Sequence, residues 1–203
     1  MATKPSWLNV SPSSGSGNGT ISNSSNEHTG RVIRTGTVTV TAAGVSVPKT
    51  YTVNQTPKAE FCSFDNGAEM AASKNGGNVT IEGKSNSSKL TFSIVESNTD
   101  IAIPDTYTAS GMETNNGTEI TGDPGASSQY AFSLTINIPA NATIEEVTRT
   151  ILVTANGGQT SQIAIKQAAG DATLEIEPTE ITIPQDGSAV SVTVKSNTSW
   201  EVS

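Results

Sequence analysis

The 203-residue chain is poor in the residues on which most site chemistry is built. It carries one cysteine, Cys62, and one histidine, His28. A lone cysteine closes no intrachain disulfide, so burial and strand pairing must hold the fold. Metal sites and nucleophilic triads need converging partners, and Cys62 and His28 fall in different parts of the chain, so neither a metal nor a catalytic role is expected of them. Hydrophobic residues reach only 33%, with Ser, Thr, Asn and Gly carrying the balance, which is too little helix-forming material for a helical protein and suits strands joined by polar turns. Basic residues are outnumbered: a net charge of -8 spread along the chain offers no basic face to nucleic acid or an anionic membrane. No apolar run is long enough to span a bilayer, and Met1–Pro5 lacks the apolar core of a secretory signal, so the chain is expected to be made in a cytoplasm without export. No cofactor motif is present.

What the sequence does contain is alternation. Thr35–Thr41 alternates Thr with Val, Tyr51–Gln55 alternates again, and the small-residue turn between them makes a hairpin. Ser6–Val10 is a short strand signal ending in a Gly/Ser turn cluster, and residues 20–30 are polar and irregular. From Ala59 the pattern restarts with Phe61–Phe64, Val79–Ile81 and Leu90–Ile94. The cleanest strand pattern of all is Tyr130, Phe132, Leu134, Ile136 and Ile138, stopped by Pro139. Thr150–Thr154 and Gln162–Gln167 follow. Between Leu90–Ile94 and Tyr130, residues 96–128 form a long Gly/Asn/Thr/Asp-rich segment without strong strand signals, of the kind that is often functional or mobile. The last stretch starts with Leu174–Pro178 and Ile181–Pro184 and then alternates Val190, Val192 and Val194.

These patterns repeat. Thr35–Gly44 lies over Thr148–Gly157 without a gap, at an offset of 113, and Gln55 lies over Gln167 at 112. Lys84–Ser88 lies over Lys195–Ser199 at an offset of 111, with Gly76 over Gly187 and Val79 over Val190. Residues 58–170 are therefore one complete unit with an insertion at 96–128. Residues 1–57 read as the second half of such a unit and residues 171–203 as a first half. Joined, the outer pieces would make about 85 residues, the size of a small β-sandwich.

Ser196–Trp200 before a strand, Ser6–Gly15 after one, the strand Arg34–Val40 and the closing Val53–Gln55 together resemble the BACON domain. That family is an immunoglobulin-like β-sandwich of Bacteroidetes proteins and of the bacteriophages of that gut community. The resemblance implies an all-β chain of tandem immunoglobulin-like sandwiches with half-domains at both ends, and carbohydrate binding as a suspected family property. Lys89, standing where Trp200 would put a tryptophan, and the 96–128 insertion depart from the pattern.

Few residues invite a binding role. Tyr107, an aromatic in the inserted segment with polar neighbours, is the candidate ligand-binding residue. Trp7 and Trp200 could stack on a sugar ring, but each sits in a scaffold motif where a buried tryptophan is the ordinary tenant. Asp100, Asp105 and Asp123 share the insertion and read as solvated loop charges, with a calcium site as the alternative. A paired-carboxylate glycosidase needs a cleft that a small sandwich hardly provides. The expectation is a non-enzymatic structural or adhesive protein without cofactor or metal, a bacteriophage virion surface component such as a capsid decoration or head fibre, with glycan adhesion as a further capacity. Its partners would be other virion proteins or its own copies, through strand or sandwich packing. The alternative is an extracellular carbohydrate-binding accessory module of a glycan-degrading Bacteroidetes protein. A seven-stranded sandwich puts its two chain ends about 35–40 Å apart, while the connector Ala168–Asp171 reaches about 14 Å. The last 33 residues are therefore expected either to complete residues 1–57 of another chain or to continue into further sequence.

Overall fold

The computed structural model describes residues 4–97 and 100–203. These form fifteen strands, and none of them is helical. The chain is all-β, as its composition requires.

The central unit is a sandwich of two sheets. One contains β5 (Cys62–Phe64), β7 (Gly77–Ser85), β11 (Tyr130–Ile138), β9 (Thr106–Ala109) and β10 (Met112–Asn115), in the order β10-β9-β11-β7-β5. The other is ordered β6-β13-β12-β8, from β6 (Glu69–Ala72), β13 (Thr160–Gln167), β12 (Val147–Ala155) and β8 (Leu90–Ile94). Between β5 and β6 the chain crosses from the first sheet to the second, where β6 runs parallel to β13. All other pairings are antiparallel, which gives the immunoglobulin-like strand order.

Alternation builds the core. Every second residue of β11 is buried, and the residues between face outward or are half-buried. Ile81, Leu90, Phe92, Ile151, Val153, Ile163 and Ile165 meet them from both sheets. Each such side chain contributes about 1.5–3 kcal/mol by leaving water. Phe92 packs edge-on against Phe132 and Tyr107, with ring centroids 5.5 and 4.9 Å away. Gly83 lies opposite Phe132 in the sheet. A Cβ there would sit 2.3 Å from the Phe132 ring and 2.2 Å from the Ser63 carbonyl, so only glycine fits.

The inserted segment is not a bare loop. Its middle folds into the hairpin β9–β10, and β9 pairs with β11 at Phe132↔Ala109 and Ser133↔Thr108, extending the first sheet. Asn116 ties it down from the other side by receiving the Phe92 N–H at 2.8 Å and donating to the Phe92 carbonyl at 3.0 Å. Two further strands arise where alternation is weak: β6, and β2 (Ser22–Ser25), which pairs with β1 (Leu8–Ser11).

The outer pieces repeat the pairings of the central unit. Strands β3 (Arg34–Val40) and β4 (Lys49–Gln55) are in the register Val38↔Tyr51, Gly36↔Val53. Shifted by the repeat offsets, that is Ile151↔Ile163, Arg149↔Ile165 of β12 and β13. Likewise β14 (Leu174–Glu177) and β15 (Thr193–Ser196) pair Leu174↔Ser196 and Ile176↔Val194, the counterparts of Cys62↔Ser85 and Phe64↔Gly83. Each outer sheet stops at two strands. Strand β7, flanked by β5 and β11, runs nine residues, while its counterpart β15 has four. Val190 and Val192 carry the alternation but form no strand. A strand forms where its backbone groups find partners.

Candidate functional site

Two clefts lie where the pieces join, one at each pole of the central sandwich. The first, about 650 Å³, is walled by Arg31 and Val32 from the N-terminal piece and by Glu60, Asp123, Asn156 and Gly157 from the central unit. Arg31 organises it. Its guanidinium donates to both Asp123 carboxylate oxygens, that from Nη2 at 2.8 Å, and to the Asn86 carbonyl from Nε and Nη2 at 3.2 and 2.5 Å. The Glu60 carboxylate lies 3.3 Å from Nε on its remaining side. Glu60 is buried and accepts from the Ser87 hydroxyl at 2.7 Å and the Gly157 N–H at 2.8 Å. The Arg31 hydrogen bond holds the Asp123 carboxyl below its ordinary range, against the opposing effect of partial burial. Both acids are thus spent on holding an arginine and on backbone N–H groups, an arrangement that fixes the N-terminal piece to the sandwich.

Beneath that cleft lies a corner built from the repeated Lys-Ser-Asn motif. The Ser85 hydroxyl donates to the Phe61 carbonyl at 2.7 Å and accepts the Ser87 N–H at 2.9 Å. The Asn86 amide accepts the Phe61 N–H at 2.8 Å and donates to the Ala59 carbonyl at 3.0 Å. In the C-terminal piece Ser196 donates to Thr173 at 2.8 Å and accepts the Thr198 N–H at 3.1 Å. Asn197 accepts the Thr173 N–H at 2.8 Å and donates to Asp171 at 2.8 Å. All four bonds recur at the repeat offsets. The motif is a clamp between the start of a unit and the end of the strand that pairs with its first one, satisfying backbone groups that a sharp chain reversal would leave unpaired.

At the opposite pole a buried polar latch closes the unit. Gln167, fully buried, accepts from Arg149 Nη1 at 2.9 Å and donates to the Ser73 and Pro139 carbonyls at 3.0 and 2.8 Å. Arg149, 2% exposed, is also gripped by both oxygens of Asp100, at 2.7 and 2.6 Å. That pairing lowers the Asp100 carboxyl. In the N-terminal piece Gln55, the counterpart of Gln167, accepts from Arg34 at 2.9 and 2.6 Å; that arginine stands two residues before the position of Arg149, which is Gly36 here.

The residues singled out in the sequence do not come together. Tyr107 corrects the expectation of an exposed binding aromatic: it is 4% exposed, because hairpin β9–β10 turns it inward against Phe92. Its hydroxyl and that of Thr114, directly opposite in the hairpin, are buried without a hydrogen-bond partner. Burial pushes the Tyr107 phenol up to about 12, with the Tyr130 hydroxyl adding to the effect and the Leu90 backbone opposing it. An unfolded tyrosine ionises near 10, so the contribution of the neutral phenol is intact below pH 10 and is lost as pH rises from 10 through 12. At about 1.4 kcal/mol per pKa unit, Tyr107→Phe should remove about 2–3 kcal/mol of alkaline destabilisation. At pH 7 it should leave stability unchanged or slightly raised, since the hydroxyl is unsatisfied. Urea unfolding at pH 7 and at pH 11.5 checks both.

Trp7 is half-buried under Arg34, whose guanidinium carbon lies 4.6 Å from the ring centroid. Trp200 is 53% exposed, where a core position was expected. It lies beyond the end of β15, in no strand. His28 serves its own loop, its ring accepting the Gly30 N–H at 3.2 Å and bonding the Val32 carbonyl at 2.7 Å. Cys62 is a buried free thiol held up by desolvation. Asp100 and Asp123 each face an arginine, and Asp105 is exposed. Among the described residues no three His, Cys, Asp or Glu side chains are grouped as metal ligands would be. The clamp and the latch were not anticipated as sites, although the recurrence of the clamp residues and of Gln55 and Gln167 lies in the alignment of the repeats.

No family model matches the chain, and no curated protein matches it in sequence. Solved structures with similarity include a Bacteroides ovatus GH5 xyloglucanase in complex with a XXXG heptasaccharide, 18% identical at a TM-score of 0.33 over 56% of this chain and 20% of that one. A Bacteroides thetaiotaomicron protein is 15% identical at 0.28 over 54% of this chain and 85% of that one. Domains 4–9 of the surface layer protein SbsC are 15% identical at 0.31 over 72% and 20%. The chain spans about a fifth of the xyloglucanase it matches. It has a β-rich fold with structural neighbours among Bacteroides proteins.

Proposed function

We propose that the chain is a non-enzymatic structural or adhesive protein of the BACON type, serving on the surface of a bacteriophage particle. One observation carries the assembly part of this reading. Among the described residues, all the exposed large apolar side chains except Val95, Met112 and Ile144 lie in the outer pieces. Apolar side chains grouped as Leu174 and Ile176 are on β14, with Ile181 and Ile183 just beyond it, are rarely left in water unless something packs on them. The polar contacts support the same reading, since Glu60 and Asp123 of the central unit are engaged in holding Arg31 of the N-terminal piece. The phage setting comes from the family resemblance.

Mass spectrometry of density-purified phage particles from the source community tests it. Peptides of this chain should co-purify with the capsid. Their absence from particles, together with presence in a bacterial cell-surface fraction, would replace the reading with the glycan-binding accessory module, for which the exposed Trp200 indole offers a stacking platform.

A further inference from the structure

We propose that Asn66 is a self-modification site, where the chain cyclises without an enzyme to a succinimide and then opens to an aspartyl or isoaspartyl link. Asn18, Asn66, Asn75, Asn116 and Asn156 are each followed by glycine. In such a pair the glycine nitrogen, once hydroxide has taken its proton, can attack the asparagine side-chain carbonyl carbon, and no Cβ on the glycine obstructs the approach. The bond from the glycine nitrogen to Cγ forms, the Cγ–Nδ2 bond breaks, and the amide leaves as ammonia after taking a proton from water. Water then adds to either carbonyl of the imide. One opening gives aspartate, and the other routes the main chain through the side chain as isoaspartate. Nothing beyond water and hydroxide takes part.

The fold treats the five pairs differently. At three of them the attacking nitrogen is occupied. The Gly76 N–H donates to the Ser73 carbonyl at 3.0 Å, the Gly117 N–H to the Leu90 carbonyl at 3.0 Å, and the Gly157 N–H to the Glu60 carboxylate at 2.8 Å. Asn116 is held at its side chain too, since Oδ1 and Nδ2 both bond Phe92. A bonded N–H gives up its proton less readily and is not free to turn onto the carbonyl. Among the described residues no backbone carbonyl accepts from the Gly19 or the Gly67 N–H. Asn18 lies in the exposed Gly/Ser turn, where nothing assists it.

Asn66 is assisted. Its loop joins β5 to β6, where the chain crosses between the sheets. The Asp65 N–H donates to the Glu82 carbonyl at 2.9 Å, and the Glu82 N–H donates to Asn66 Oδ1 at 2.6 Å. The second bond falls on the atom that gathers negative charge as Cγ becomes tetrahedral. A backbone donor fixed in β7 stabilises that oxygen as an oxyanion hole does, and it keeps its acceptor in the imide, whose carbonyl is the same atom. Gly67 is exposed, at a φ of 83°, so hydroxide and water reach it.

Two repeat positions frame the consequence. Asp186–Gly187 is the counterpart of Asn75–Gly76 and keeps its turn bond, from the Gly187 N–H to the Pro184 carbonyl at 2.9 Å, so that turn already accommodates an aspartate. The counterpart of Asn66 is Pro178, which has no side-chain amide to lose. An isoaspartyl link at 66 would lengthen the main chain between the two sheets by one carbon. It would also set a new carboxylate beside Asp65, which pairs with Lys84 at 3.3 Å.

Incubating the full chain at neutral pH and physiological temperature, folded and in urea, and mapping its peptides by mass tests this. The succinimide shows as the loss of one ammonia, and isoaspartate is labelled by isoaspartyl methyltransferase. In the folded chain Asn66 should convert about tenfold faster than Asn18, the rate equivalent of one hydrogen bond to the developing charge. Asn75, Asn116 and Asn156 should stay unconverted over the same interval. In urea the lead of Asn66 should vanish and the other three should react. Asn66→Gln, whose ring closure is far slower, should remove the signal from its peptide. If Asn66 in the folded chain converts no faster than Asn18, or no faster than the three bonded pairs, the proposal fails. A lead that persists in urea owes nothing to the fold and overturns it as well.

Discussion

Gln167→Leu should destabilise the central unit by about 3–5 kcal/mol, a large part of the margin of an ordinary domain. The leucine fits the volume but answers none of the hydrogen bonds. The Ser73 and Pro139 carbonyls lose their donor, and Arg149 loses one of the acceptors that make its burial tolerable. Gln55→Leu is the informative control. Gln55 also accepts from an arginine, Arg34, but it is only half-buried and donates only to the Asn26 carbonyl at 2.8 Å, on the exposed side. Its loss should cost under about 1 kcal/mol in the isolated chain. Chemical denaturation followed by tryptophan fluorescence and by far-ultraviolet dichroism would separate the two, since both tryptophans lie outside the central unit.

Asn86→Ala should have the second largest effect, about 3 kcal/mol. Asn86 is buried, and the change strands the Phe61 N–H and the carbonyls of Ala59 and Ala126, which it satisfies at 2.8, 3.0 and 2.9 Å. Asn86→Asp is a sharper probe. It keeps the acceptor for Phe61 but replaces the donating amide with a charge facing two carbonyl oxygens, so it should be no better tolerated than alanine. The matching Asn197 is half-buried and belongs to the C-terminal piece, so Asn197→Ala should barely move the midpoint of the central unit. Amide exchange at Phe61 and Thr173 would read each clamp separately, with protection lost at the one whose asparagine is replaced.

Much of the fold was legible because alternation reports which strands have two unlike faces. Strands β3, β4, β11, β12 and β13 all declare themselves this way. The hairpin β9–β10 did not, because four-residue strands rich in Thr, Glu and Asn show little contrast between faces. Tyr107 was misplaced for the same reason. Whether an aromatic in a polar segment faces out or in depends on the sheet edge it meets, here Phe132 and Phe92, which are distant in sequence. Strand β6 is similarly hidden, since its pairing with β13 is a matter of backbone and its side chains are small. The clamp and the latch were visible only as repeated letters. Their chemistry depends on which backbone groups a fold leaves unpaired, and local sequence does not record that. Conversely, Val190 and Val192 carry a strand signal that no strand answers, because periodicity describes a preference and pairing needs a neighbour.

The parallel pair β6–β13 has a mechanical consequence. The chain enters the central unit at one pole, just before β5 and β6, and leaves from the other at the end of β13. Tension applied through the two linkers pulls β6 by its leading end and β13 by its trailing end, in opposite senses along a shared ladder from Glu69↔Ala164 to Ala72↔Gln167. The hydrogen bonds across that ladder lie crosswise to the pull and are strained together, where a hairpin opened from its mouth would lose them one at a time. Gln167 sits at the end of this ladder, its amide bonded to the Ser73 carbonyl just past β6, so it works as a tie bar between the two strands under load.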